Sequence, residues 1–238
     1  IRKFRSEPIA PEVLQDMLEA ASRASTCGNM QLYSLIVTQS RELREALAPC
    51  HFNQPMVTQA PCVITVCADV HRFSMWCEQR DAEPCYDNFA WFLNGVTDAL
   101  LAAQNLCVEA EAHGLGICYL GTTIYTAEEI ARILDLPKGV IPVTTIVVGH
   151  PDESPELTDR LPLDAVVHCE KYHHYTSSEI DELWAEKETS EETRRLLEEN
   201  GLPNLAQIFT RNRYRAEDNL AISRNYFALL KKQGFFNN

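Results

Sequence analysis

The chain has few positive charges and no long apolar run, and each absence excludes a class of protein. Its 238 residues hold 21 Lys and Arg against 34 Asp and Glu, which gives a net charge of −13. A nucleic-acid-binding protein needs a basic surface that displaces counterions, and an anionic membrane surface attracts basic segments. No apolar run approaches the ~20 residues of a membrane helix. We therefore expect no nucleic-acid partner and no membrane partner.

The chain also lacks a paired-cysteine motif. Its nine cysteines form no C-x-x-C pair, and their odd number does not suit a disulfide framework. His168, His173 and His174 lie near Cys169, but their spacing matches no zinc signature. These features predict reduced thiols in a cytoplasmic protein that binds no metal. No signal segment is visible, and the abrupt opening at Ile1 leads us to expect native residues ahead of it.

Several catalytic signatures are missing as well. The sequence contains no P-loop and no G-x-S-x-G elbow, which argues against the P-loop nucleotide hydrolases and the α/β-hydrolases. Gly114, Gly116 and Gly121 do not have the spacing of the G-x-G-x-x-G fingerprint. A Rossmann dinucleotide-binding fold is therefore not expected.

What the sequence does contain is an imperfect alternation of helical and apolar strand-like segments, which predicts a mixed α/β layer. Helices are predicted from Pro11, at 42–48, 89–113, 178–200 and 217–233, and after a capping box formed by Thr126 and Glu129. Strands are predicted at 33–38, 61–68, 117–120 and 140–149. Residues 71–88 are polar and aromatic, and we expect them to be irregular.

Three polar loops interrupt this pattern, and each has a structural and a functional interpretation. Residues 25–31 form a plain turn, or they present backbone N–H groups and short side chains to a phosphate or a polar ring edge. Residues 114–122 form a helix end and a tight strand end, or they bring glycine backbone close to a flat ligand. Arg160 in the loop 158–162 is solvated, or it binds a phosphate through its paired donors.

In order and spacing, these segments resemble the FMN-dependent nitroreductase family. Residues 1–4 are similar to the end of its R-x-S-x-R-x-F element, 25–33 to P-S-S-x-N-x-Q-P-W, 53–55 to N-Q-P, 119–122 to Y-I-G-G, and 157–162 to L-K-P-R-L-P. The likeness is greatest to the branch of the NADPH flavin reductases and the larger oxygen-insensitive nitroreductases. The resemblance implies that FMN is bound by Arg2, Thr26, Asn29, Gln31, Gln54, Tyr119, Leu120, Gly121, Thr122 and Arg160.

The sequence also departs from the family pattern. Thr158 replaces a Lys, Thr122 replaces a Gly, and Leu32-Tyr33 replaces Pro-Trp. The branch's basic loop for the 2′-phosphate of NADPH has no clean match, so the choice between NADPH and NADH stays open. Candidates for contacts to the nicotinamide nucleotide or the substrate are Arg213, Arg215 and Arg224.

The resemblance implies an α+β fold, a mixed sheet flanked by helices, in a homodimer with FMN at the subunit interface. Residues 1–175 would form the FMN-binding core, and 176–238 a helical extension of the same domain that wraps the partner. FMN carries the redox chemistry, so no catalytic side chain is required. NADPH or NADH would donate hydride in a ping-pong reaction with nitroaromatic, quinone or flavin acceptors.

Three alternatives remain open. The first is another flavin enzyme on the same scaffold, of the dehalogenase or flavin-fragmenting type, with residues 71–88 as a lid over the flavin. The second is a non-catalytic FMN-binding protein. The third is a structural dimer that binds no cofactor.

Overall fold

The computed structural model describes residues 1–236, whose contacts divide the chain into two compact units. The first unit comprises Ile1–Pro155 together with the C-terminal residues from Ile222 onward, and the second is Glu156–Ala221. The second unit thus begins earlier than the extension predicted at 176–238, and it ends within the C-terminal helix. That the extension belongs to the same domain as the core stays a prediction.

The first unit is built on a four-stranded sheet with the order β1-β2-β4-β3. The strands are β1 (Tyr33–Thr38), β2 (Cys62–Asp69), β3 (Gly116–Leu120) and β4 (Val140–Gly149). β2 is central and is buried along its whole length, whereas the edge strands β1 and β3 are partly exposed. The α+β class is confirmed. All pairings in residues 1–236 are antiparallel, so a parallel pairing, which a mixed sheet requires, is not found there.

Residues 1–236 contain ten α-helices and several short turns. The helices are α1 (Pro11–Ser22), α2 (Arg41–Leu47), α3 (Pro55–Gln59), α4 (His71–Glu78), α5 (Phe89–Ala112), α6 (Ala127–Ile133), α7 (Ser177–Thr189), α8 (Glu191–Asn200), α9 (Leu205–Ile208) and α10 (Ala216–Lys232). The turns are the 3-10 segments Cys27–Asn29, Ala48–His51, Gly121–Tyr125 and Leu163–Ala165, and the π segment Phe209–Arg213. None of these helices has both the length and the apolar character that crossing a membrane requires.

The main core lies between one face of the sheet and the helices α1 and α5. α5 presents the fully buried alanines Ala99, Ala102 and Ala103 to this core. Because these side chains are small, the helix can approach the sheet closely, and Ile64 and Ile146 of the central strands fill the space between them. The long apolar helix that the sequence predicts is therefore the principal cover of the sheet.

A second apolar cluster joins three segments that are distant in sequence. Phe4 near the N-terminus, Val57 of α3 and Leu120 at the end of β3 pack together with Val63 and Val147. Side chains alternate across a strand, so these two valines point to the sheet face opposite their neighbours in the main core. This face therefore brings the N-terminal segment, residues 48–60 and the end of β3 together.

The second unit has a small apolar core in which Leu205 and Ile208 of α9 are buried. The sequence predicts one helical stretch at 178–200, but Ser190 divides it into α7 and α8. Ser190 has an extended backbone (φ −62°, ψ 153°), and its hydroxyl accepts a hydrogen bond from Thr193 N at 3.1 Å. Serine is a preferred N-cap, so a new helix begins where the predicted one should continue.

Two further local predictions are wrong. Residues 71–88 are not wholly irregular, because α4 forms within them. The predicted capping box at Thr126 is absent from α6, since Thr126 Oγ1 instead donates to the carbonyl of Cys50 at 2.7 Å. In α4 the ring of Phe73 contacts Trp76 and Tyr86, with centroid distances of 5.3 and 5.1 Å. Tertiary contacts decide both cases, as is usual for short helices.

Candidate functional site

The first predicted site segment, residues 25–31, is held by a buried carboxylate. Asp98 of α5 is 2% exposed and accepts hydrogen bonds from Cys27 N at 2.8 Å and from Leu32 N at 3.0 Å. A hydrogen bond to a charged group contributes about 1.5–3 kcal/mol. These two bonds fix both ends of the loop against the helix.

A second polar cluster holds the exit of the same loop. The Arg72 guanidinium on α4 donates to the carbonyl oxygens of Gln31 and Tyr33, the latter at 3.2 Å. It also lies 3.5 Å from Asp69 Oδ2, and Ser34 Oγ donates to that same carboxylate. The segment that was proposed as a flavin lid thus contributes a direct support to the predicted cofactor loop.

The loop itself adopts a strained backbone that needs this support. Gly28, Asn29 and Gln31 have φ values of 55°, 56° and 47°, in the left-handed region that non-glycine residues rarely occupy. The amide of Gln31 donates to Asn29 Oδ1 at 2.7 Å. Thr26 is half-buried with an extended backbone, and its side chain does not cap the following turn. The predicted Thr26, Asn29 and Gln31 therefore lie in one compact, partly exposed loop.

The second predicted segment is the turn Gly121–Tyr125 after β3, and hydroxyl groups hold it. Thr123 Oγ1 donates to the carbonyl of Leu120 at 2.8 Å and lies 3.0 Å from Thr145 Oγ1 on β4. Thr122 Oγ1 lies 2.8 Å from Nδ1 of the fully buried His51. Burial lowers the pKa of His51 to about 4, so the imidazole is neutral at physiological pH.

The predicted Gln54 lies beside this turn. Its backbone N–H donates to the His51 carbonyl at 3.1 Å, at the start of α3. The two residues before it, Phe52 and Asn53, both have left-handed backbones, with φ of 55° and 52°. His51 therefore connects the loop that carries Gln54 to the turn that carries Thr122.

The predicted Arg2 lies near the other end of β3. The N-terminal ammonium of Ile1 donates to the Ile117 carbonyl at 3.1 Å, and a side chain at Gly116 would clash with Ile1. The Glu153 carboxylate accepts hydrogen bonds from the backbone N–H groups of Arg2 and Lys3. These bonds lower the pKa of the Glu153 carboxyl group, and the exposed Arg2 side chain does not take part in them.

Sheet topology separates the predicted contacts within the first unit. The chain enters β1 at the end of the sheet toward which β3 runs, so the loop 25–31 and Gly121 share that end. They lie on opposite edges, because β1 and β3 are three strand spacings apart, about 14 Å. Arg2 adjoins the start of β3. The structure therefore brings Arg2, Gln54 and 119–122 to one edge and leaves 25–31 at the other.

A cavity of about 760 Å³ adjoins the turn but does not suit a phosphate. It lies between α6 and the C-terminal part of α10. Three basic residues line it, and two of them, Arg132 and Lys232, are paired with Glu129 at 2.9 Å and with Glu128 at 2.8 Å. The carboxylates of Glu128, Glu129 and Asp135 line the same space, so we do not place the phosphate of the cofactor there.

In the second unit, the predicted Arg160 lies in an exposed loop. Its Nη1 donates to Thr158 Oγ1 at 2.7 Å and to the Asp159 carbonyl at 2.9 Å. Lys187 of α7 pairs with the Asp159 carboxylate at 2.7 Å and lowers its pKa. A Thr in place of Lys at residue 158 therefore orients the arginine, while a lysine from α7 contacts the same loop.

The three further arginines have different surroundings. The guanidinium of Arg213 lies 5.5 Å from the ring centre of Phe209, a cation–π contact in the π segment. Arg215 is bound to Asp218 at 2.7 Å and to Glu217 at 3.0 Å. Arg224 lies on α10. Arg213 thus offers a more accessible cation than Arg215, which already has two carboxylate partners.

Sequence reasoning missed the residues that support the site, namely Asp98, Arg72 and His51. Asp98 had a usable signal, because it is a single carboxylate within an otherwise apolar part of α5. A charge at such a position is either exposed or bound by specific partners. Neither Arg72 nor His51 stands in a pattern that would single it out.

The residues at the β3 edge fit a flat, phosphorylated ligand such as FMN. A Cβ on Gly121 would meet no protein atom within 4 Å, so the fold leaves open space at this exposed position. Tyr119 lies half-buried against the core, where burial and a hydrogen bond with Cys107 raise its pKa. Leu120 is 2% exposed. Tyr119 and Leu120 can therefore offer a ligand mainly their backbone, and Arg2 an exposed guanidinium.

Comparison with known proteins gives a consistent result. The sequence model of the nitroreductase family matches residues 1–150. An NADPH-dependent oxidoreductase of Staphylococcus aureus (strain USA300) is 35% identical over 177 residues, which are 73% of this chain and 70% of that protein. A putative oxidoreductase from Bacteroides fragilis NCTC 9343 has a TM-score of 0.98 and 49% identity, covering 100% of this chain and 96% of that one. The NADPH:FMN oxidoreductase from Vibrio harveyi, solved with NAD+, has a TM-score of 0.81 and 26% identity over 100% of this chain and 95% of its own.

Proposed function

Since the chain belongs to the nitroreductase family and is an oxidoreductase, we propose that it is an FMN-dependent NAD(P)H oxidoreductase. Its acceptors would be small molecules of the nitroaromatic, quinone or flavin class. The observation that carries the proposal is the edge of the sheet at β3. There the N-terminal segment that carries Arg2 adjoins the start of β3, and the unobstructed Gly121 follows the end of β3, beside the loop that carries Gln54. These positions support a site in which a phosphate and a flat ring would lie along one strand.

In this proposal the chain binds and orients, and FMN supplies the transfer of electrons between a nicotinamide nucleotide and an acceptor. Arg2 and Arg160 bind the phosphate and neutralise its charge. Gln54 and the backbone of 119–122 orient the ring. The neutral His51 keeps the turn in place without adding a charge beneath it. No side chain is required to act as an acid or a base.

We propose a homodimer, because one subunit does not bring all the predicted contacts together. The loop 25–31 and the turn at Gly121 lie on opposite edges of the sheet, so a second copy would complete the site. α5 carries an apolar stripe that includes the exposed residues Leu93, Leu100, Leu101 and Val108, 43–55% exposed. A stripe of this kind on a helix is the expected signature of a surface that another subunit covers.

NADPH and NADH are both proposed as donors. The names of the similar proteins from Staphylococcus aureus and Vibrio harveyi favour NADPH, and Arg213 is an accessible cation that could meet a 2′-phosphate. We also propose a cytoplasmic location, as predicted from the cysteines. All nine cysteines are free in the structure, which is compatible with reduced thiols.

The test is a visible spectrum of the protein with FMN, taken under nitrogen before and after addition of NADPH or NADH. We expect a yellow protein that is bleached by the nucleotide and recovers its colour with nitrofurazone or a quinone. A yellow protein that neither nucleotide bleaches would indicate a non-catalytic FMN-binding protein, and a colourless one would exclude the cofactor. Bleaching without turnover of any nitro, quinone or flavin acceptor would favour the dehalogenase or flavin-fragmenting alternative.

The phosphate assignment has its own test. Arg160→Ala should greatly weaken FMN binding while the unfolding temperature of the FMN-free protein stays nearly unchanged, because within residues 1–236 the side chain of Arg160 is hydrogen-bonded to its own exposed loop. A variant that keeps its full FMN content would show that this arginine does not bind the phosphate.

A further inference from the structure

His51 lies beneath the turn that follows β3 and has contacts to two segments. Its side chain is fully buried, and Nδ1 lies 2.8 Å from Thr122 Oγ1. Its carbonyl oxygen accepts the backbone hydrogen bond of Gln54 at 3.1 Å. One residue therefore supports, through its ring and its backbone, both the turn and the loop that are proposed to orient FMN.

The imidazole is an unfavourable way to fill this space if packing is its only role. Nε2 of His51 is buried and has no hydrogen-bond partner among residues 1–236. Buried polar atoms are nearly always paired, and an apolar side chain would occupy the volume without leaving a nitrogen unpaired. The contact with Thr122 is the one polar contact of the ring that the described residues provide. A role for the imidazole therefore depends on that contact.

Thr122 is itself a departure from the pattern that the turn resembles, in which a glycine stands at this position. A glycine has no hydroxyl to offer His51, and its backbone is freer than that of threonine. The exchange adds both a restraint on the turn and a partner for the ring. His51 and Thr122 are therefore complementary: each supplies the group that the other needs.

We propose that His51 is a positioning residue, which acts through Thr122 to hold the Gly121 peptide and the Gln54 loop in the arrangement that binds FMN. This inference rests on the proposed FMN function. A turn that is ordered before the ligand arrives loses less conformational freedom on binding, so the contact between the His51 ring and the Thr122 hydroxyl contributes to affinity although neither group touches the ligand. His51 takes no part in the chemistry.

The test compares Thr122→Val with Thr122→Ser in the full chain. Valine keeps the shape of threonine without the hydroxyl, and serine keeps the hydroxyl. We expect Thr122→Val to raise the FMN dissociation constant about tenfold, the equivalent of one hydrogen bond, and Thr122→Ser to restore nearly the original affinity. Thr58→Val is the matched control, because it removes an exposed hydroxyl bound to the Pro55 carbonyl in α3 and leaves the ring contact intact. It should change the unfolding temperature little and leave FMN affinity nearly unchanged.

A second readout needs no cofactor. In the FMN-free protein, ¹⁵N NMR of the imidazole nitrogens reports the contact directly. We expect the His51 ring signals to move in Thr122→Val and to stay in place in Thr122→Ser and Thr58→Val. If the chemical shifts of the ring nitrogens do not change when the Thr122 hydroxyl is removed, the proposal is wrong.

Variants of His51 keep the proposal testable if Thr122→Val does not fold. His51→Asn keeps a polar atom near the position of Nδ1, and His51→Leu does not, so only the leucine variant should lose FMN affinity. The double variant with His51→Leu and Thr122→Val should bind FMN no more weakly than either single variant, because the two residues act as a unit. Additive losses would contradict this.

The outcomes also separate this inference from the function on which it rests. If the unaltered protein binds FMN and NADPH bleaches it, but the Thr122 and His51 variants bind FMN equally well, the positioning role alone is wrong. If the unaltered protein binds no FMN, the proposed function is wrong and the positioning role with it.

Discussion

The two segments proposed to contact the flavin ring are held by opposite kinds of chemistry. The loop 25–31 depends on charged groups, the buried Asp98 and the Arg72–Asp69 pair. The turn Gly121–Tyr125 depends on threonine hydroxyls and on a histidine that burial keeps neutral. The loop has a strained backbone and needs strong acceptors, whereas the turn lacks such left-handed residues. The comparison indicates that removing the buried Asp98 carboxylate from the loop should cost more stability than removing a support of the turn.

The largest effect is expected from Asp98→Ala. The substitution leaves the N–H groups of Cys27 and Leu32 without an acceptor, and it should lower the free energy of unfolding by about 4 kcal/mol. Urea denaturation measures the change. Asp98→Asn keeps one acceptor oxygen, so its free energy of unfolding should lie between those of the original protein and Asp98→Ala. If Asp98→Ala is as stable as the original protein, the charged support is not what holds the loop.

The second effect is a pH dependence of the stability, which arises from His51 beneath the turn. The pKa of His51 is lowered from 6.5 to about 4 in the folded state, so the unfolded chain binds a proton more readily. The stability that the neutral His51 contributes to the folded protein is fully present above pH 6.5 and is lost as the pH falls toward 4. Between pH 7 and pH 5 the loss should be about 2 kcal/mol.

Urea unfolding at the two pH values measures this loss, and His51→Asn is the control, because other groups titrate in the same range. The difference between the two proteins isolates the histidine. An equal loss of stability in the original protein and in His51→Asn would show that His51 is not buried as a neutral ring. The contrast between the charged support of the loop and the neutral support of the turn would then be wrong.

A smaller effect is expected from Arg72→Met. The substitution keeps much of the aliphatic stem and removes the donors to the Gln31 and Tyr33 carbonyls, which should cost about 1 kcal/mol. Arg41→Met is the matched control, since its exposed pair with Glu45 contributes little. If the two variants lose the same stability, the α4 arginine is an ordinary surface residue.

The smallest effect is expected from Glu153→Gln, which lies outside both segments. This exposed carboxylate orients the backbone of Arg2 and Lys3, and glutamine retains an acceptor oxygen. We expect the unfolding temperature to change little and FMN to bind somewhat more weakly. A titration with FMN provides the measurement. A marked loss of stability would mean that the N-terminal segment supports the fold rather than the ligand.

The sequence predicted the elements that local patterns specify. The apolar β-branched run of β2 and the long apolar period of α5 each have one favourable structure, and both are confirmed. α4 was missed because aromatic contacts stabilise it, and the capping box at Thr126 failed because Cys50, distant in sequence, competes for the hydroxyl. Such partners cannot be read from neighbouring residues.

The candidate site divides in the same way. Its loops could be located from residue types and spacing, but the groups that hold them could not. Asp98, Arg72 and His51 each act on a segment at least 39 residues away. Asp98 lies 66 and 71 residues from its partners, Arg72 lies 39 and 41, and His51 lies 71 from Thr122. Sheet topology, which places 25–31 and Gly121 on opposite edges, is likewise a property of the assembled strands.

The central claim is that one FMN is held by the β3 edge of one subunit and by the loop 25–31 of its partner. The most direct measurement is a crystal structure of the protein with FMN bound. We predict that the ring lies over Gly121, that Arg2 and Arg160 contact the phosphate, and that the partner's loop meets the ring edge. FMN bound elsewhere, or these segments far from one another even across paired subunits, would contradict the account.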